Sequence, residues 1–213
     1  MDSIYECAKS FRGLLTTRYL FVVSKRRTAI QFTLDFMETD FYHLAGFQHL
    51  DDIAIERDRN RTLDLIDRRV ITDGLLAKSR FYRDVPRVEY SDVKRRIEAL
   101  CRLEQYLDAR NYIKVFAVTD ARSISLIGAE YVIKSSLRGA PDPVYIFLRR
   151  RRESDNYCVA SFFPEKNNAY GGEMLHWMLK LKITATEAVE LYRHPGYTAK
   201  PETSSTPDGT GLI

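Results

Sequence analysis

The spacing of hydrophobic residues changes twice within the first fifty positions. After the apolar run Tyr19–Ser24 and the polar triplet Lys25-Arg26-Arg27, Ile30, Phe32, Leu34 and Phe36 alternate with Ala29, Gln31, Thr33 and Asp35. Period two puts the large side chains on one face of a half-buried strand, so the two runs predict a β-hairpin. Directly afterwards Phe41, Leu44, Phe47 and Leu50 recur every three residues. That spacing predicts a short helix over 41–50, capped by Thr39 or Asp40.

Residues 51–110 carry helical spacing. One helix is expected over 58–67, and a second over 91–107 after the Asp73-Gly74 and Pro86 breaks, with Ser91-Asp92 as its cap. In the second, Val93, Ile97, Leu100, Leu103 and Leu107 share a face, and Lys94, Arg95, Arg96, Glu98, Arg102 and Glu104 decorate the remainder. From Tyr112 the period returns to that of strands, at 112–118, 131–135, 144–148 and 157–163, in an order that suggests a meander. Glu173–Leu181 reads as a last helix, and the stretch after Pro195 is rich in Pro, Gly, Ser and Thr. The expected class is α+β, an antiparallel β-sheet packed by helices with a helical middle lobe. One domain spans 1–194, the lobe is 51–110 within it, and 195–213 is a flexible polar tail.

Composition narrows the class of protein. With 45% hydrophobic and 12% aromatic residues the chain has enough apolar surface to fold, which excludes global disorder. The apolar run at Tyr19–Val23 is flanked by Arg18 and Lys25 and falls far short of the roughly 18 residues of a membrane span. The mixed charges of MDSIYECAKSFRG do not resemble a secretory signal, so a cytoplasmic location without membrane contact is expected. Cys7, Cys101 and Cys158 have neither an even count nor a CxxC spacing, which argues against disulfides and zinc. Net charge is only +4, and the excess of basic residues falls in 111–160, around Arg149, Arg150, Arg151 and Arg152. A field of that size does not by itself demand nucleic acid as a partner.

Candidate chemistry is sparse. There is no GxSxG, HExxH or HxE with CxxC, and Gly171-Gly172 lacks the spacing of a phosphate-binding or dinucleotide loop, so no cofactor is expected. His43, His49, His176 and His194 are dispersed, and on one helix His43 and His49 would point to different azimuths, so no metal site is expected either. Tyr42-His43 supplies groups suited to proton transfer near neutral pH, although a histidine on a short helix also serves as a structural hydrogen-bonding group. Ser161, at the end of the last strand of the meander, is suited to holding a phosphate or to satisfying an edge backbone group. Tyr145, Phe147, Tyr157, Phe162 and Phe163 suit either base stacking or a sheet core.

The order of these parts resembles one known family. A β-hairpin, then Phe41-Tyr42-His43-Leu44-x-Gly46-Phe47-x-x-Leu50, a helical middle, and late strands ending in Ser161-Phe162-Phe163 are similar to the phage-associated barnase–EndoU–colicin–RelE-like nucleases in their fourth phage variant. Phe36, His49, Tyr145, Ile146, Phe147 and Tyr170 also match, over about residues 19–180. The resemblance implies a metal-independent endoribonuclease, a toxin or phage-conflict effector, in which an RNA 2′-hydroxyl attacks its neighbouring phosphate. It implies His43 as base or acid, with Tyr42 and Ser161 as phosphate or proton-relay groups, and it places His49 and Tyr170 toward substrate. Lys134, Arg149 and Arg151 are added as cations from the basic late-strand region. The partners implied are RNA and an antitoxin or immunity protein. A competing reading keeps the fold as a non-catalytic domain that binds nucleic acid or a small ligand.

Overall fold

Ile4, Cys7, Ala8, Phe11 and Leu14 recur at helical spacing and wind α1 (Ser3–Leu14) in the computed structural model, which describes residues 2–83, 92–117, 127–165 and 170–198. Asp73 satisfies the open end of α1, because its carboxylate accepts from the Ser3 and Ile4 backbone N–H groups at 2.5 and 3.2 Å. The hairpin β1 (Arg18–Lys25) and β2 (Thr28–Leu34) follows, with Arg26 and Arg27 taking positive φ in its two-residue turn. Next come α2 (Glu38–Leu44), a 3-10 turn (Phe47–His49), α3 (Thr62–Asp67), α4 (Asp73–Leu76), α5 (Val93–Leu100) and α6 (Leu103–Asp108). The remaining strands are β3 (Asn111–Val115), β4 (Tyr131–Ser135), β5 (Val144–Arg150), β6 (Tyr157–Pro164), β7 (Met174–Ile183) and β8 (Ala188–Arg193).

These strands form one mixed sheet in the order β1-β2-β6-β5-β4-β3-β7-β8. The run β3 to β6 is the expected antiparallel meander, and β2 joins it through the single parallel pair Leu34–Tyr157. Because β7 pairs with β1 as well as β3, the sheet curls until it is partly closed. Helices cover one face, and the core there spans the molecule from Ile4 to Leu175. The alternating stripe points into it as expected: Phe32, Leu34 and Phe36 are buried with Phe41 and Leu44, and Ile30 packs at the margin. Phe32 stacks on Tyr131 at 5.0 Å, which ties the hairpin to the meander. Among the described residues no helix is long and apolar enough to cross a membrane.

Four expectations need correction. Residues 173–181 are strand β7, not a helix: Met, Leu and Lys favour helix locally, but pairing with β1, β3 and β8 overrides that preference. The 41–50 helix ends at Leu44 because Gly46 adopts φ 82°, and its first turn opens at Met37, whose N–H donates to Asp40 at 2.9 Å. The 58–67 helix begins only at Thr62, and that expected over 91–107 is two helices broken at Cys101-Arg102. Asp92 caps α5 by accepting from the Arg95 N–H. Helix α1 and strand β8 lie where no element was expected. Val118, Pro86, Ser91 and residues 199–213 of the expected tail lie outside the described residues.

Candidate active site

Arg96 sits on the flank of the apolar stripe of α5, beside Val93 and Leu100, so packing of α5 against β6 carries its side chain inward. Its Nε donates to the Leu44 carbonyl at 2.9 Å, at the open C-terminal end of α2. Its Nη1 lies 3.5 Å from His49 Nε2, its Nη2 donates to Ser161 Oγ at 3.4 Å, and the guanidinium lies 5.9 Å from the Phe163 ring centroid. Burial lowers its pKa to about 10. Among the described residues no carboxylate is within ion-pair distance of it. A partly buried guanidinium without a carboxylate is a site for an anion.

The left-handed turn at Gly46 decides what surrounds that cation. A continuous helix would send His43 and His49 to different azimuths; after the turn both imidazoles border Arg96. A Cβ on Gly46 would stand 3.0 Å from Arg96 Cδ, so glycine serves both the φ and the close approach. Burial, then the positive charges of Arg96 and Arg59, lower the His43 pKa, with Arg149 adding to them and a hydrogen bond to the Ala160 backbone working against them. Burial followed by Arg96 and His43 pushes His49 down to about 4. Gln48 Nε2, 3.1 Å away, and Arg96 both face His49 Nε2, which assigns a lone pair there and the proton to Nδ1. At neutral pH both rings are therefore uncharged. Ala160 is the extra residue of a β-bulge, where the β5–β6 register shifts between Phe147 and Leu148. The bulge sets Ser161 opposite Phe147, beside Arg96.

The expected site residues thus separate. His49 and Ser161 meet Arg96, and His43 lies near enough to Arg96, Arg59 and Arg149 for their charges to lower its pKa. Tyr42 is buried in the core with its ring edge-on to Phe47 at 5.8 Å and meets the site only through Arg59, whose guanidinium lies 6.0 Å from its ring centroid. Arg151 is enclosed by carboxylates: Nε meets Asp35 at 2.5 Å and Nη2 meets Asp40 at 2.6 Å. Burial acts against that charge, but the hydrogen bonds to Asp40 and Asp35 outweigh it and raise its pKa. Lys134 and Tyr170 lie on the sheet face turned away from the main core, where Lys134 faces the Tyr145 ring. Sequence reasoning missed Arg96 and Arg59. The available signal was that Arg96 stands three residues after Val93 and four before Leu100, on the edge of the buried stripe.

Among the described residues no group of three or more His, Cys, Asp or Glu side chains is placed to hold a metal ion. Two imidazoles amid three arginines form a donor set that attracts an anion and repels a divalent cation. A family model described as phage-Barnase-EndoU-ColicinE5/D-RelE like nuclease4 matches residues 3–190. No curated protein and no solved structure matches the chain.

Proposed function

Since this chain belongs to the phage-Barnase-EndoU-ColicinE5/D-RelE like nuclease4 family, we propose that it is a metal-independent endoribonuclease whose scissile phosphate lies against Arg96. The observation that carries this reading is the Arg96 guanidinium, without a carboxylate partner among the described residues and flanked by two neutral imidazoles and Ser161. A phosphodiester supplies the missing negative charge. In the reaction the RNA 2′-oxygen bonds to phosphorus and the bond to the 5′-oxygen breaks, leaving a 2′,3′-cyclic phosphate and a 5′-hydroxyl. His43, neutral at physiological pH, takes the 2′-hydroxyl proton. Arg96 and Arg149 stabilise the charge that builds on the phosphoryl oxygens, and the leaving oxygen takes its proton from water or through the Ser161 hydroxyl. His49 holds Arg96 in place through its lone pair. Tyr42 fixes α2 by its packing.

Incubation of the purified protein with single-stranded RNA and a chelator tests the reading. Wild type is expected to produce cyclic-phosphate ends, and His43→Ala and Arg96→Met are each expected to lower kcat/KM by about 10²-fold or more. Cleavage only after a divalent metal is restored defeats the metal-independent mechanism. No cleavage with or without metal leaves the non-catalytic binding domain as the better account. A toxin role follows only if expression of wild type, and not of His43→Ala, arrests growth.

A further inference from the structure

On the sheet face away from the main core, two neighbouring cross-strand rows run from β3 to β6. Register places Tyr112 opposite Lys134, Lys134 opposite Tyr145, and Tyr145 opposite Phe163; the next row is Lys114, Val132, Phe147 and Ser161. Directly opposed residues point to the same face, so the surface that carries Ser161 also carries the tyrosines and lysines. Between the rows lies an open cavity of about 210 Å³. The buried Val132 and Tyr145 line it together with Tyr170, Lys114 and Lys134, and the exposed Tyr112 and Met174 complete the lining. Tyr112 is 67% exposed, an unusual position for so large a ring on a strand.

We infer that this cavity takes one unpaired base of a single-stranded RNA, with Lys114 and Lys134 meeting the adjoining phosphates. This rests on the ribonuclease reading of the Arg96 site and names the form of its substrate. The volume lies below the roughly 300–1,000 Å³ of clefts that engulf larger ligands, and three tyrosines stand in its lining beside two cations and the apolar Val132 and Met174. That chemistry fits a flat ring joined to a phosphate. The route to the cleavage site is continuous. Tyr170 lies 4.8 Å from Tyr145 and 5.8 Å from Phe163, and the Phe163 ring in turn faces the Arg96 guanidinium at 5.9 Å. From β4 to β6 is about 10 Å at the usual strand spacing, so the bound base belongs to a nucleotide near the scissile one. A duplex cannot present its stacked bases to such a cavity.

The test measures binding apart from cleavage, with a non-cleavable 2′-O-methyl oligonucleotide and an abasic strand of the same length and charge. Wild type is expected to hold the base-bearing strand about 5- to 150-fold more tightly than the abasic one. Tyr112→Ala, at an exposed position that leaves the core intact, is expected to remove most of that ratio, and Tyr112→Phe to restore it. Lys134→Ala is expected to weaken both strands. Equal affinity of wild type for both strands, or an unchanged ratio in Tyr112→Ala, overturns the base site. RNA cleavage without base preference defeats the cavity and leaves the nuclease reading standing. Base-dependent binding without any cleavage does the reverse.

Discussion

His49 links the site to stability through a proton. Its ordinary pKa is 6.5, and burial followed by Arg96 and His43 pushes it to about 4 in the folded chain. The unfolded chain therefore binds more protons as pH falls through that interval. The stability associated with the neutral ring is fully present above pH 6.5 and is lost as pH falls toward 4. Because the ring is partly exposed, solvent screening keeps that loss below the value the full shift would imply. Urea unfolding between these pH values should show a slope that His49→Asn flattens, and identical slopes would mean that His49 titrates alike in both states. His43 is displaced in the same direction by burial and by Arg96 and Arg59, so its titration by NMR in Arg96→Met should move upward.

At the scale of elements, one glycine converts a helix into a site. The apolar spacing of Phe41, Leu44, Phe47 and Leu50 was legible and survives as burial, but it suits a helix followed by a 3-10 turn as well as one long helix. Gly46→Ala is expected to cost about 1–2 kcal/mol for its left-handed φ. Its Cβ would also press on Arg96 Cδ, so kcat/KM should fall by more than the loss of folded protein accounts for. A variant whose activity loss matches its unfolded fraction would separate the turn from the site. Strand β7 teaches the opposite lesson: its residues favour helix, and only the edges offered by β1, β3 and β8 make it a strand. The stripe of α1, by contrast, stands openly in the sequence at Ile4, Cys7, Ala8, Phe11 and Leu14.

Across the whole molecule, a net charge of +4 is too small to hold RNA by its general field, so the proposed RNA binding requires particular cations at particular places. Arg149 and Arg151 are two residues apart but differ in their partners. Arg149 is exposed and acts on His43, whereas Arg151 is closed in by Asp35 and Asp40. Arg149→Ala is expected to reduce the slope of log affinity against log salt by about 0.7 for a single strand. Arg151→Ala should keep that slope and lose stability by about 3 kcal/mol, since it leaves two carboxylates facing each other. A reduced slope in Arg151→Ala would instead place that cation on the RNA. The sequence by itself determined the hairpin, the meander and the motif around His43, because alternation and helical spacing are local properties that burial enforces. It also carried the resemblance to the nuclease family. Only the tertiary structure decided that Arg96 leaves the polar face of its helix for the site, that His43 and His49 border it together, and that Arg151 is already neutralised. Those outcomes depend on which elements pack together, and residues dozens of positions apart in the chain supply the partners.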